Sequence, residues 1–202
     1  SFKAKKKSPV SRKSSFTAPS SKPKLGRGRG ANARPGKVAG RRRAASPSPS
    51  HGDGLPARVG SITPRYMCQI PPQASPGNPA RAGVYGHGLL DGYQAITYDH
   101  VPQFSVDHNL LFCAVDLYGF STGDIANVFS VLVDLSNFQV IPDASQQGLL
   151  NFLFLARALR HPDGFAAHPE FQDGNGAAVF DNREVFYDGN SQGGITGGPI
   201  VA

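Results

Sequence analysis

A serine flanked by glycines near the end of the sequence is the residue best placed for chemistry. Gly189-Asn190-Ser191-Gln192-Gly193 has the form G-x-S-x-G and follows the strand-like Val185-Phe186-Tyr187-Asp188. A nucleophilic serine needs a tight turn, and the small Gly189 and Gly193 allow the strand and the next helix to approach. The helix N-terminus then places the backbone N–H of Gln192 beside a developing oxyanion. Alone, the pentapeptide is a weak signal, because glycine and serine are common in loops.

Two upstream turns stand in the order that this chemistry requires. They are Tyr85-Gly86-His87-Gly88-Leu89-Leu90 and Asp116-Leu117-Tyr118-Gly119-Phe120-Ser121. Together with the serine turn they resemble the α/β-hydrolase superfamily, whose lipases and esterases carry a His-Gly pair after an early strand. The resemblance implies that the Leu89 N–H is the second oxyanion donor. It also implies that His87 shapes the loop without being the base, and that Asp116 is structural and ties down its own turn.

Further segments extend the resemblance to a group of large bacterial hydrolases of this superfamily, from about Thr63 onward. They are Gln147-Gly148-Leu149-Leu150-Asn151-Phe152 and His161-Pro162-Asp163-Gly164-Phe165. One departure is Asp91-Gly92, where the pattern usually passes from Leu-Leu directly to Gly. The resemblance implies an esterase-like or lipase-like enzyme that acts on a small-molecule ester or related acyl substrate, with no metal or cofactor, in an exported protein.

The base and the acid that Ser191 needs are missing downstream of it. In this fold the chain order is Ser, then Asp or Glu, then His. Eleven residues follow Ser191, and none of them is acidic or a histidine. All six histidines precede it: His51, His87, His100, His108, His161 and His168. The sequence therefore predicts an N-terminal fragment of a longer hydrolase, with the acid and the histidine beyond Ala202 and little activity of its own.

Charge divides the chain into two regions. Of the 21 Lys and Arg residues, 15 precede His51 and no Asp or Glu does, whereas the rest has six basic and 14 acidic residues. Residues 1–58 have too few apolar side chains to offset an ordering entropy of about 1–2 kcal/mol per residue. We therefore predict a disordered basic segment there. It either makes weak, nonspecific contact with nucleic acid or another anionic surface, or is an extension without function.

Hydrophobic patterns in residues 62–202 predict an α/β domain with a partial, parallel hydrolase sheet and flanking helices, truncated after the serine turn. The predicted strands are 65–70, 81–85, 110–115 and 184–187, and the predicted helices are 125–135, 146–159 and a last one from 192. Polar, glycine-rich residues 161–183 are interpreted as an inserted loop. The strand before Ser191 is expected at the edge of the sheet, because the later strands are missing.

The remaining features leave several alternatives open. Cys68 and Cys113 lack metal-ligand spacing and are compatible with one disulfide or two buried thiols. No apolar run reaches the roughly 18 residues of a membrane span, and the first residues lack an apolar signal-peptide stretch. We therefore expect no transmembrane segment, and the compartment stays open. The alternatives to an enzyme are nonspecific nucleic-acid binding through the basic segment and a non-catalytic, hydrolase-like module for protein contacts.

Overall fold

The structure, a computed structural model, describes residues 60–98 and 100–202, and before them only the backbones of 10–15 and 18–20. The strands are β1 (Val10–Ser15), β2 (Ala18–Ser20), β3 (Gly60–Ile62), β4 (Arg65–Ile70), β5 (Ala80–Gly86), β6 (Leu110–Val115) and β7 (Phe180–Gly189). The α-helices are α1 (His100–His108), α2 (Ile125–Val133), α3 (Val140–Arg160) and α4 (Gln192–Val201). Short 3-10 helices cover Tyr93–Thr97, Thr122–Asp124, Leu135–Asn137, Phe165–Ala167 and Pro169–Phe171.

One mixed sheet organises these elements. Its strand order is β4-β6-β5-β7, with β1 added beside β4, and β2 pairs with β3 separately. β5, β6 and β7 are parallel, whereas β4 runs antiparallel to β6. The predicted α/β class is confirmed, but an all-parallel sheet is wrong for β4. Only the nine residues 71–79 join β4 to β5, and a parallel connection needs a crossover of about a dozen residues or more.

β6 forms the centre of the domain, because its apolar run is paired on both sides and buried throughout. On one face of the sheet, Leu111 and Cys113 pack with Phe152 and Leu155 of α3. On the other face, Phe112 and Ala114 pack with a second cluster that includes Tyr85, Tyr93, Ile96 and Val101. The predicted strands 65–70 and 110–115 thus match β4 and β6 residue for residue.

Two helix boundaries, the end of α2 and the start of α3, differ from the predicted ones. The predicted helix 125–135 ends at Val133, because Asp134 is extended (φ −144°) and its side chain accepts a hydrogen bond from the Ser136 N–H. α3 begins at Val140, six residues before the predicted start. Pro142 does not prevent this, since the first helical turn has no use for its missing N–H.

The segment that was interpreted as an inserted loop contributes to the core instead. Phe165 and Phe171 are buried within it, and their rings stack at a centroid distance of 4.7 Å. Phe165 also stacks on Tyr66 of β4, at 5.1 Å. β7 starts at Phe180, four residues before the predicted strand. The polar, glycine-rich composition around them hid these aromatic anchors.

β7 lies at the edge of the sheet, as the sequence predicted. Among the described residues it pairs only with β5, and Glu184, Phe186 and Asp188 are exposed. In the same part of the chain, no helix is both long and apolar enough to cross a membrane. Apart from residues 10–15 and 18–20, the predicted disordered segment 1–58 lies outside the described residues, and its disorder stays a prediction.

A disulfide joins the centre of the sheet to β4. Cys68 and Cys113 face each other across the antiparallel β4–β6 pair, and both side chains are fully buried. The structure therefore shows the first of the two cysteine alternatives. The bond cross-links residues 45 positions apart in sequence.

Removing this cross-link should cost stability. A loop of 45 residues corresponds to about 4 kcal/mol in the chain-entropy description of disulfides. We expect the double variant Cys68→Ala/Cys113→Ala to lose about that much free energy of unfolding in a urea titration. As a control, a reducing agent should destabilise the original protein and leave the double variant unchanged. Two alkylatable thiols in the denatured, unreduced protein would contradict the disulfide.

Candidate active site

Ser191 occupies a strained turn between β7 and α4. Its backbone has φ 53° and ψ −113°, a left-handed conformation that residues other than glycine rarely adopt. The turn is held by hydrogen bonds from the Asn190 N–H to the Gly86 carbonyl (3.1 Å) and from the Gly193 N–H to the Asn190 carbonyl (2.8 Å). Ser191 is the N-cap of α4, yet its hydroxyl makes no capping bond, and the residue is exposed. The hydroxyl is therefore presented to solvent at a helix N-terminus.

Glycines make this turn sterically feasible, as the sequence predicted. A Cβ atom at Gly193 would overlap the carbonyl of Gly86 on β5. A Cβ at Gly189 would lie 2.6 Å from the Gly193 carbonyl carbon. Tyr187, which sequence analysis did not single out, donates a hydrogen bond from its hydroxyl to the Gly193 carbonyl (2.6 Å). Burial raises the pKa of this phenol, which favours the protonated donor.

The loop after β5 approaches the serine. A Cβ atom at Gly88 would lie 3.9 Å from the Ser191 Cβ. Leu89 follows with its side chain exposed, and its N–H makes no hydrogen bond within the described residues. The Gln192 N–H belongs to the first turn of α4, where backbone donors have no intrahelical partner. The loop that carries Leu89 and the first turn of α4, which carries Gln192, thus both lie next to Ser191.

His87 fixes this loop from within the protein. Its side chain is fully buried; Nδ1 lies 2.7 Å from the Gly88 carbonyl oxygen, and Nε2 lies 2.8 Å from the Leu117 nitrogen. A carbonyl only accepts and an N–H only donates, so Nδ1 carries the hydrogen and Nε2 accepts. Both ring nitrogens are therefore engaged. This geometry leaves neither available as a base for Ser191.

The turn after β6, residues 116–121, lies next to the loop after β5. Asp116 does not tie down its own turn as expected: its Oδ1 accepts from the Tyr93 N–H (2.9 Å), beyond the His-Gly loop. The turn itself is held by Asp124, whose Oδ2 accepts from the Gly119 and Ser121 N–H groups and from the Ser121 hydroxyl. Asp124 was missed because it lies several residues beyond the motif. An acidic residue in a capping-box position after Ser121 was the available signal.

Backbone bonds join the same two loops directly. The Leu90 N–H donates to the Phe120 carbonyl, and the Thr122 N–H donates to the Asp91 carbonyl, both at 2.7 Å. Leu90 adopts a positive φ of 56° to make this connection. The departure Asp91-Gly92 is thus accommodated by the loop, since Asp91 forms a bridge with Ser121.

None of the described histidines contacts Ser191. His100 lies 3.5 Å from the Tyr85 hydroxyl, and His108 packs on Phe104. The side chains of His161 and His168 accept hydrogen bonds from backbone N–H groups two residues onward. His51 lies outside the described residues. Within those residues, no three His, Cys, Asp or Glu side chains group as metal ligands.

A cavity of 540 Å³ lies beside the turn after β6. Arg65, Asp116, Asp124 and Asp143 are among the residues that line it. Ser191 is not among its lining residues, so this cavity is separate from the serine turn. Burial is the main cause that raises the pKa of Asp116, against the lowering effect of the Tyr93 N–H.

Comparison of the sequence with protein-family models gives no match, and no curated protein matches it. The assignment of a function therefore depends on the geometry of the serine turn and of the two loops around it.

The contact between Gly193 and Gly86 can be tested by adding one methyl group. We expect Gly193→Ala to lower the free energy of unfolding by about 1–3 kcal/mol, because the methyl group meets rigid backbone. Gly198→Ala is the matched control in the same helix, since a Cβ there meets nothing within 4 Å. It should leave the stability unchanged or raise it by up to about 1 kcal/mol, because alanine favours a helix more than glycine does. Equal effects of the two changes in urea titrations would contradict the close approach of β5 and α4.

The raised pKa of Asp116 predicts a pH-dependent stability. A carboxylate whose pKa is higher in the folded state weakens folding above that pKa, and the penalty disappears as the pH falls through it. Asp116→Asn should therefore gain stability relative to the original protein as the pH rises from acidic to neutral. Asp134→Asn is the control of opposite sign, because the Ser136 N–H lowers the pKa of Asp134. The free energies of unfolding are measured by urea titration across this pH range. If those of both variants, relative to the original protein, change with pH in the same direction, the raised pKa of Asp116 is contradicted.

Proposed function

We propose that the protein is a serine hydrolase with an α/β-hydrolase-like sheet and that Ser191 is its nucleophile toward an ester or related acyl substrate. The observation that carries the proposal is the Ser191 hydroxyl, exposed at a positive-φ turn between a parallel strand and a helix N-terminus. A serine held in this way is the arrangement that the G-x-S-x-G turn of such enzymes requires.

The loops around Ser191 support the same chemistry. In a tetrahedral intermediate the negative charge develops on the former carbonyl oxygen, and preorganised N–H groups stabilise it. The N–H groups of Leu89 and Gln192 are the donors in this proposal. The Gly88 backbone lies close to the serine, since a Cβ atom there would be in van der Waals contact with the Ser191 Cβ.

The proposal assigns no base to Ser191. No acidic residue or histidine follows Ser191 among the 202 residues, and the geometry of His87 assigns it to loop support. A nucleophile without base and acid keeps only the rate enhancement that oxyanion stabilisation and binding provide.

Reaction with a fluorophosphonate probe tests the nucleophile. We expect the probe to modify Ser191 in the folded protein, read out by peptide mass spectrometry, and we expect Ser191→Ala to abolish the modification.

Two controls separate this result from general serine reactivity. Ser61→Ala removes another exposed serine, on β3, and should leave the labelling unchanged. Labelling should disappear in urea, because the oxyanion donors are then dispersed. A folded protein that stays unlabelled would contradict the enzyme and favour the non-catalytic module. The nucleic-acid alternative concerns residues that lie mostly outside the described ones, and no observation on the described residues favours it.

A further inference from the structure

A tight turn carries the Leu89 N–H that the proposed function uses. The Asp91 N–H donates to the Gly88 carbonyl (3.2 Å) and closes a turn with Leu89 and Leu90 at its centre. Leu90 has a φ of 56°, and a positive φ at the third position of a turn usually requires glycine or asparagine. The Leu89 side chain is exposed, so packing does little to fix it. The position of the Leu89 N–H therefore depends on the neighbouring residues of the turn.

Asp91 connects this turn to the elements around it. Its backbone N–H closes the turn, and its carbonyl accepts a hydrogen bond from the Thr122 N–H (2.7 Å). Its carboxylate oxygen Oδ1 accepts two more, from the Gly92 N–H and from the Tyr98 hydroxyl, both at 2.8 Å. The backbone of Asp91 thus holds the turn on one side, and its side chain holds it on the other.

Tyr98 anchors Asp91 to a part of the chain that the core fixes. It directly follows the 3-10 helix Tyr93–Thr97, whose buried side chains belong to the cluster around Phe112. The hydrogen bond to Asp91 raises the pKa of the Tyr98 phenol, so this hydroxyl stays protonated and donates at neutral pH. The bond between the Tyr98 hydroxyl and the Asp91 carboxylate therefore joins the turn to the core.

The charge of Asp91 is of no use to an oxyanion, because a carboxylate opposes a second negative charge near it. Burial is the main cause that raises the pKa of Tyr85, and Asp188 and Asp91 raise it further. The Asp91 carboxylate is thus close to the same phenol as Asp188, the residue directly before the serine turn. What the Asp91 side chain provides for the site is an acceptor oxygen.

We propose that Asp91 and Tyr98 are positioning residues for Ser191, because the hydrogen bond between their side chains holds turn 88–91 so that the Leu89 N–H faces the developing oxyanion. This inference rests on the proposed function, which assigns that N–H to the oxyanion. A residue with a positive φ keeps its conformation only where the surrounding structure enforces it. The Asp91–Tyr98 bond enforces it on one side, and the backbone bonds to the turn after β6 enforce it on the other.

Amide hydrogen exchange, measured by NMR, tests the bond without any reaction. We expect Asp91→Ala and Tyr98→Phe each to speed the exchange of the Leu90 and Asp91 amides about three- to tenfold, because the closed turn loses a hydrogen bond. Asp91→Asn should exchange like the original protein, since its side chain keeps an acceptor oxygen. Asp107→Ala is the matched control, because it removes an exposed side-chain bond from Gln103 within α1 and should leave both amides unchanged.

The rate of fluorophosphonate modification of Ser191 tests the effect on the chemistry. Asp91→Ala and Tyr98→Phe should react about tenfold more slowly, because the oxyanion donor is displaced. The double variant should react no more slowly than Asp91→Ala alone, since both changes remove the same bond. Asp91→Asn should react at least as fast as the original protein, a rescue that depends on the acceptor oxygen. Urea titrations show that each variant is folded at the start of the reaction.

The other outcomes overturn the proposal, and they separate it from the proposed function. Unchanged exchange in Asp91→Ala and Tyr98→Phe would show that the bond does not hold the turn. Faster exchange with unchanged labelling would remove the role of the turn and leave Ser191 as the nucleophile. Slow labelling of Asp91→Asn would assign the effect to the charge of Asp91. Absence of labelling in the original protein would overturn the proposed function and the positioning role together.

Discussion

The burial of His87 between two loops is the constraint on which the candidate site depends. One imidazole accepts from the Leu117 N–H and donates to the Gly88 carbonyl, and it has no contact with solvent. A buried polar group left without its partner costs about 1–3 kcal/mol. Neither loop can therefore move away without a penalty, and the Gly88 backbone stays close to Ser191 although it belongs to a different part of the chain.

The edge where the parallel strands end concentrates the functional features of the molecule. Strand ends in a parallel sheet leave backbone groups and loops free to serve a site, while the interior of the sheet serves stability. Here the interior holds the disulfide and the buried run of β6, and the edge holds the serine turn and the two supporting loops. The antiparallel direction of β4 adds to this edge, because it brings the first residues of β4 to the side where β5, β6 and β7 end.

Local patterns account for what could be predicted from the sequence. The apolar run Leu110–Val115 predicts a buried strand, and the glycines around Ser191 predict a tight turn before a helix. Each pattern spans only a few residues, and both predictions match the structure. The antiparallel direction of β4 could have been predicted from the short connection 71–79, but its pairing with β6 joins strands that are distant in sequence, and the apolar patterns of the two strands do not specify it. Asp124 and Tyr187 act on backbone groups whose positions only the fold defines. The burial of Phe165 and Phe171 was not predicted, because the residues around them are mostly polar or glycine and indicate a loop.

The positive φ of Ser191 has a consequence for how the sequence can drift. Glycine adopts that backbone conformation without strain, whereas a residue with a Cβ atom is penalised by about 1–3 kcal/mol. Random mutation under selection for folding alone would therefore favour glycine at this position. A serine there, between Gly189 and Gly193, is a residue that the fold does not need. Its retention across related sequences would report selection for a hydroxyl group and would be evidence of function that no unfolding experiment can supply.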